Sequence, residues 1–247
     1  MIENCTQKTR VGLIVPSVQS VTEPLFNRLC GSDFDFLAHR MRLLGGKPED
    51  LAEMESHVPE AVDALSDSGV DVYLYCCTAS GAIQGREKEA ELCAGIELKT
   101  GRPAISTLIA CVDALKDVGA EKISVVSPND EDVRSLEDKY LEEVGFDVLN
   151  SYGFGIVDGK LFPSIPLQDI IDMTMSGWIP ESDALFMSCM NWKAAEVLTF
   201  LKKKLNKPVI TSHTASLWAV YCRVKENIGY SAFIEKLFYS SDDTKKG

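Results

Sequence analysis

The chain has 247 residues and a formal net charge of −12, so it is long enough for one large domain or two small ones. The acidic excess argues against a nucleic-acid partner, because the net field repels a phosphate backbone. A small anion can still be held by local backbone N–H groups. No run of about eighteen apolar residues occurs, so we predict no membrane-spanning helix and no membrane partner.

Residues 1–10 are polar and lack the apolar core of a secretory signal, which predicts a cytoplasmic protein with reduced cysteines. The three histidines and eight cysteines show no zinc-site spacing. The chain also lacks a dinucleotide fingerprint and a Gly-x-x-x-x-Gly-Lys loop. We therefore expect a protein that needs neither a metal nor an organic cofactor.

Apolar runs typical of strands alternate with helical patterns along the first half of the chain. Strands are predicted at 11–15, 34–38, 70–75 and 103–107, and helices at 48–65, about 80–97 and 108–118. Ser80 is expected to cap the helix that follows the third strand. This alternation is typical of an α/β protein with a parallel sheet.

The same alternation returns in the second half. Strands are predicted at 122–126, within 145–156, at 183–187 and at 208–212, and helices at 130–144, about 192–205 and about 213–224. Residues 240–247 are expected to form a disordered tail.

Landmarks in the two halves share one separation. Three pairs lie 112 residues apart: Pro16 and Pro128, Asp71 and Asp183, and Cys77 and Cys189. Pro103 and Pro208 lie 105 apart, which indicates a shorter connection in the second half. We predict two flavodoxin-like halves related by a pseudo-twofold axis, with the active site in the cleft between them. The first lobe is expected to hold residues 1–112 and about 214–247, and the second to hold 113–213.

Cys77 and Cys189 are the candidate catalytic residues. Ligands of open parallel sheets bind beyond the carboxyl ends of the strands, and both cysteines follow such ends. A helix N-terminus after each would favour the thiolate. Thiols on opposite faces of a substrate carbon suit two-base proton transfer, and either could also act as a nucleophile. The alternative is that both are core cysteines.

The other cysteines lack this placement. Strand alternation turns Cys76 away from Cys77, and the repeat pairs Cys76 with Ser188, so we expect Cys76 to be structural. We interpret the remaining five as core or surface residues: Cys5, Cys30, Cys93, Cys111 and Cys222.

Candidate substrate-binding residues follow the same strand ends. Ser17 and Gln19 follow the first strand, and Asn129 follows its repeat. His213 lies just past the last strand. Four residues after the cysteines could offer backbone N–H groups to a carboxylate: Thr78, Ala79, Met190 and Asn191.

The chain resembles the aspartate/glutamate racemase superfamily, in its branch of maleate cis-trans isomerases and arylmalonate decarboxylases. Five stretches over most of the chain carry the resemblance: 11–17, 71–78, 185–189, 207–211 and 215–218. The resemblance implies that Cys77 adds to a double bond or abstracts a proton first, and that Cys189 performs the complementary proton transfer. It also implies a homodimer and a small carboxylate substrate.

Two comparisons with that branch bear on the reaction. Decarboxylase-like members have glycine at the first cysteine position, so Cys77 favours an isomerase or racemase. Isomerases usually have Asn in place of Gln19 and Tyr in place of Asn129, at positions that contact a carboxylate in the family. These departures leave the identity of the carboxylate open. A decarboxylase that protonates with Cys189 and a non-catalytic carboxylate-binding protein are the alternatives.

Overall fold

The computed structural model describes residues 8–45 and 47–239 and contains two four-stranded parallel sheets. In order β2-β1-β3-β4, the first sheet comprises β1 (Thr9–Pro16), β2 (Phe34–Met41), β3 (Val72–Tyr75) and β4 (Ala104–Ser106). In order β6-β5-β7-β8, the second comprises β5 (Lys122–Asn129), β6 (Asp147–Ile156), β7 (Ala184–Met187) and β8 (Val209–Thr211). The predicted two-half α/β fold is confirmed. Cys5 and the predicted tail lie outside the described residues.

Helices connect the strands of both sheets. In the first half they are α1 (Thr22–Cys30), α2 (Pro48–Glu55), α3 (Val58–Asp67), α4 (Thr78–Gln84), α5 (Arg86–Thr100) and α6 (Thr107–Asp117). In the second they are α7 (Glu131–Glu143), α8 (Leu167–Gly177), α9 (Ala194–Leu205), α10 (Ser212–Val224) and α11 (Tyr230–Tyr239). Helices α1, α8 and α11 were not among the predicted elements.

The strand register repeats with the separation found in the sequence. Val11 pairs with Val72 across β1 and β3, and Ile123 pairs with Ala184 across β5 and β7, each partner displaced by 112. The edge strands β4 and β8 occupy equivalent places with a separation of 105, from Ala104 to Val209. The two halves therefore share one backbone framework.

The repeated aspartates hold equivalent strand starts. The carboxylate of Asp71 accepts the Arg10 N–H at 2.9 Å, and the carboxylate of Asp183 accepts the Lys122 N–H at 2.9 Å. Two backbone N–H donors, from Lys122 and Glu121, lower the pKa of Asp183. Asp71 and Asp183 therefore stabilise the two sheets. This structural role accounts for their recurrence and requires no role in the cleft.

Two predicted helices are each broken into two. The pattern at 48–65 forms α2 and α3, because Pro59 lies in the first turn of α3 and cannot continue a preceding helix. The pattern after Cys77 forms α4 and α5, separated by Gly85 at φ +81° and ψ +163°, a conformation that essentially only glycine adopts. Apolar periodicity continues across both breaks, so it could not reveal them.

The lobe boundaries stay a prediction, because α10 contacts elements of both halves. It packs against α6, β3 and β4 of the first half as well as β8 of the second. The Ser216 hydroxyl of α10 donates to the Thr107 hydroxyl of α6 at 3.0 Å. The two helices that end the repeats thus pair at the junction of the halves.

Candidate active site

One cavity of about 330 Å³ lies between the halves, and both Cys77 and Cys189 line it. Its walls come from the segments at the carboxyl ends of β1, β2 and β3 and of β5, β6 and β7. Six strand ends of two sheets therefore meet at one cleft, as expected for parallel sheets. Cys77 is 6% exposed and Cys189 is 9% exposed, so both thiols reach the cavity through small openings.

Cys77 is the N-cap of α4. Its backbone is extended, and its sulfur accepts the Ser80 N–H at 3.4 Å. The Ala79 N–H also points at this sulfur. The prediction that Ser80 caps this helix is wrong, because the helix begins two residues earlier and Cys77 performs the capping.

The surroundings of Cys77 are acidic. The Ser80 hydroxyl donates to the Glu55 carboxylate at 2.6 Å and accepts the Tyr75 hydroxyl at 2.8 Å. Burial raises the pKa of Cys77 to about 12, with a further increase from Glu55, against the stabilising N–H of Ser80. Cys77 is therefore mainly a thiol at rest. When it loses its proton, the backbone N–H donors stabilise the thiolate.

Cys189 is held differently. Its φ is +98°, which is uncommon for a residue with a side chain, and its own N–H donates to the Ser212 hydroxyl at 3.1 Å. Its sulfur accepts the Asn191 N–H at 3.4 Å. The following helix begins only at Ala194, two residues later than predicted.

The two thiols influence each other. Burial raises the pKa of Cys189 to about 12, the Asn191 N–H opposes that increase, and the charge of a Cys77 thiolate adds to it. Neighbouring like charges separate the two ionisations, so the pair gives up one proton before the other.

Cys76 lies on the other side of the strand. It is fully buried in the core that contains Leu74, whereas Cys77 packs with the cluster that contains Tyr73 and Tyr75. Side chains alternate along a strand, so neighbouring cysteines face opposite sides. Of the two, only Cys77 lines the cavity.

The Gln19 and Asn129 side chains are both buried at the cavity wall but differ in their bonding. The Gln19 amide donates to the Cys76 carbonyl at 2.5 Å, and its oxygen lies 2.9 Å from the Thr22 hydroxyl, whose one hydrogen it shares with the Met190 carbonyl. The Asn129 amide makes no hydrogen bond within the described part of the chain. Asn129 therefore offers a free donor and acceptor to a ligand, whereas most of the capacity of Gln19 is used within the protein.

The Asn191 side chain joins the two halves. Its amide donates to the Val18 carbonyl at 3.1 Å and to the Gly159 carbonyl at 2.8 Å, and accepts the Ser20 N–H at 2.8 Å. Asn191 thus braces the cleft with its side chain while its backbone N–H serves Cys189. Thr78, Ala79 and Met190 also line the cavity.

Ser17 and His213 are not among the residues that line the cavity. The Ser17 hydroxyl accepts the Leu43 N–H at 3.0 Å and so fixes the segment after β2. His213 is fully buried at the start of α10, where its Nε2 contacts the Met190 carbonyl at 2.8 Å. Their predicted substrate contacts stay untested, and each instead supports a residue that lines the cavity.

Sequence reasoning missed the segments after β2 and β6. Leu43 and Leu44 follow β2, and 156–160 with Phe162 lie at and beyond the end of β6. Their position in the chain could have revealed them, because they follow β2 and β6, the parallel strands that lie beside β1 and β5 in the two sheets. Lys160 is the one cation among the described residues that line the cavity, and its ammonium has no ion-pair partner in the described part.

Within residues 8–45 and 47–239, no group of three or more His, Cys, Asp or Glu side chains is placed to hold a metal ion. No helix in that part combines the length and apolarity needed to cross a membrane.

A sequence model of the family described as arylmalonate decarboxylase matches residues 11–234. The chain belongs to this family. The match spans both sheets and both cysteines, and it confirms the family resemblance that the motifs indicated.

Enzymes with two different names are similar to the chain. The maleate isomerase of Nocardia farcinica is 27% identical over 85% of this chain and 88% of its own length. The arylmalonate decarboxylase of Bordetella bronchiseptica is 21% identical over 84% of this chain and 87% of its own.

A solved structure within this fold is similar to the chain. It is the Nocardia farcinica maleate cis-trans isomerase, in a cysteine-to-serine mutant with a covalently bound succinylcysteine intermediate. The TM-score is 0.85 at 23% identity, with 88% of this chain and 93% of that chain covered. The likeness establishes a shared fold.

Proposed function

We propose that the chain is a cofactor-independent isomerase of a small carboxylate, with Cys77 and Cys189 as its catalytic pair. The observation that carries the proposal is that both thiols line one cavity between the halves, each within reach of backbone N–H donors. The similar maleate isomerase of Nocardia farcinica supports it by its name and by a solved mutant structure with a covalently bound succinylcysteine intermediate. A protein that only binds a carboxylate has no need of opposed thiols.

In the proposed reaction the pair works with one proton. The Cys77 thiolate adds to one carbon of the double bond, and the electron pair of the broken π bond moves to the other carbon. That carbon takes the proton of the Cys189 thiol, which leaves Cys189 as thiolate. The bond between the two carbons is now single and can rotate.

The second half of the reaction reverses the first. Cys189 takes a proton from the carbon beside the carboxylate, the double bond re-forms in the new geometry, and the carbon–sulfur bond to Cys77 breaks. Cys77 returns to thiolate and Cys189 to thiol, so no cofactor or oxidant is consumed. Burial raises the pKa of both thiols to about 12, so the resting pair holds two protons, and the cycle starts when Cys77 releases its proton to solvent while Cys189 keeps its own.

Two side chains of the cavity are suited to a carboxylate. The unpaired Asn129 amide can donate to it, and the Lys160 ammonium can pair with it near the cavity mouth. Asp130 and Asp158 also line the cavity, so an anion entering it needs a cation to offset their charge. Lys160 is the cation positioned to do so.

The test is a panel of maleate, citraconate, fumarate, mandelate and phenylmalonate in deuterium oxide, with a chelator present. Proton spectra should show geometric isomerisation or deuterium exchange beside a carboxylate for at least one compound. The Cys77→Ser/Cys189→Ser double variant is the matched control. If every compound binds yet none turns over, the protein is a binding protein and the proposal is wrong.

A decarboxylase is the second candidate, favoured by the family match and by the apolar side chains of Leu43, Leu44 and Phe162 in the cavity wall. There Cys189 alone protonates the enolate after a carboxylate leaves. Release of carbon dioxide from phenylmalonate, retained in Cys77→Ser, would identify this reaction. The cytoplasmic location and the homodimer stay part of the proposal, and light scattering on the purified chain tests the latter.

A further inference from the structure

His213 approaches the Cys189 segment from behind the cavity wall. Its Nε2 lies 2.8 Å from the Met190 carbonyl oxygen, and that oxygen also lies 2.9 Å from the Thr22 hydroxyl. A carbonyl can only accept, so Nε2 carries the hydrogen and Nδ1 does not. Burial lowers the pKa of His213 to about 4, which keeps the ring neutral at physiological pH.

The peptide group whose carbonyl contacts His213 also donates its N–H to the Cys189 sulfur. In a trans peptide the C=O and N–H point in opposite directions. With the Met190 oxygen fixed toward α1 and α10, the Asn191 N–H of the same peptide points the other way. There it donates to the Cys189 sulfur at 3.4 Å.

The His213 ring leaves one of its two nitrogen atoms without a hydrogen bond in the described part of the chain. Nδ1 is buried and has no partner within the described residues, and the ring is packed edge-on against Phe26 at 6.0 Å between centroids. A buried polar atom without a partner is costly, and a leucine would avoid that cost. The bond to Met190 is the polar contact that the structure gives this ring.

The first half contains that leucine. Displaced by 105 residues, the counterpart of His213 is Leu108, which is also fully buried. Cys77 needs no external support, because the regular turn of α4 directs the Ser80 N–H to its sulfur. Cys189 has a positive φ and no helix directly after it, so its N–H donor must be fixed from outside.

We propose that His213 is a positioning residue that fixes the Met190–Asn191 peptide and thereby holds the Asn191 N–H on the Cys189 sulfur. It contacts no substrate. The inference rests on the proposed function only for its effect on turnover, since its effect on the Cys189 thiol is independent of the reaction.

The experiment measures alkylation of Cys189 and Cys77 by iodoacetamide at a fixed pH, by peptide mapping of the full chain. His213→Leu should slow alkylation of Cys189 by roughly tenfold, the usual scale of one hydrogen bond to a charged group, and leave Cys77 unchanged. His213→Gln, which keeps a donor at similar reach, should restore most of the rate. His57→Gln is the control for loss of an exposed histidine that does not line the cavity.

Each outcome of the alkylation experiment supports or overturns the positioning role of His213. Equal alkylation of Cys189 in His213→Leu and the parent, or equal slowing of both thiols, would overturn the inference. If His213→Leu does not fold, Thr22→Val removes the hydroxyl whose one hydrogen is shared between the Met190 carbonyl and the Gln19 amide oxygen, and it should slow Cys189 selectively by a smaller factor; no selective effect overturns the inference. A selective effect on alkylation without any effect on turnover would keep the positioning role and count against Cys189 as a catalytic residue.

Discussion

The two cysteine segments end equivalent strands of one repeated framework, yet they hold their sulfurs in different ways. Cys77 has extended backbone and caps a helix, so its N–H donors come from the next turn of α4. Cys189 has φ +98° and a turn after it, so its N–H donor is fixed by groups from α1 and α10. The difference teaches that repetition preserved the sheets while the strand-end chemistry diverged.

This difference suits the two cysteines to different steps of the proposed reaction. Cys77 is flanked by Glu55, which disfavours a free thiolate and so favours one that forms a bond to carbon. Cys189 is opposed by the charge of Cys77, which favours its protonated form when Cys77 is ionised. An asymmetric pair can therefore divide addition and proton transfer between its members.

The largest expected effect comes from removing either thiol. Cys77→Ser and Cys189→Ser should each reduce turnover by a factor on the order of 10² or more, because positioned acid–base groups contribute about that much. Turnover of the most active compound of the panel is the measurement, with Cys76→Ser as the matched control. Near-normal turnover in both variants would end the two-thiol account.

A smaller effect is expected at Lys160, which lies in the segment after β6 of the second half. Lys160→Met should raise KM for a carboxylate by roughly three- to tenfold, the scale of a partly screened ion pair, with little change in kcat. Lys160→Arg should stay close to the parent, and Lys203→Met on the exposed face of α9 is the control. An unchanged KM in Lys160→Met would remove Lys160 from the binding site.

The smallest effect concerns stability and a buried acid found behind Cys189. The Ser188 hydroxyl, at the position equivalent to Cys76, donates to the Glu137 carboxyl. Burial raises the pKa of Glu137 to about 8, from an ordinary value of 4.5. The folded state therefore binds this proton more strongly than the unfolded state, and the resulting stability is lost as pH rises from about 5 through 8.

Glu137→Gln should flatten that dependence. A tenfold preference for the proton is worth about 1.4 kcal/mol, and 1 kcal/mol moves Tm by roughly 2–4 °C in a chain of this length. We expect Tm of the parent to fall by several degrees between pH 5 and 9, and Tm of Glu137→Gln to fall less. The exposed Glu181→Gln variant should behave like the parent; equal slopes in all three proteins would contradict the assignment.

The framework was predictable because its signals repeat. Pro16, Asp71 and Cys77 recur at one separation, and the observed register of Val11 with Val72 recurs at the same separation. Strand alternation also separated Cys76 from Cys77 correctly. Periodic and repeated features survive in a single sequence, since each occurrence checks the other.

The parts that diverged between the halves were not predictable in the same way. The break at Gly85 depends on one backbone conformation within a continuous helical pattern. The direction of the His213 ring depends on Met190 and Thr22, which are far away in sequence. Lys160 was overlooked because its loop has no counterpart with the same chemistry in the first half. Such features arise from tertiary contacts, which a sequence pattern does not encode locally.

The most direct test of the central claim is the intact mass of Cys189→Ser after incubation with maleate or citraconate, followed by peptide mapping. In this variant water protonates the carbanion left by addition, and no Cys189 thiolate is present to remove that proton again, so the account predicts an adduct of one substrate mass on Cys77. The Cys77→Ser/Cys189→Ser double variant should show none. An adduct on another residue, or no adduct in a variant that binds a compound the parent isomerises, would contradict the assignment of Cys77 as the nucleophile.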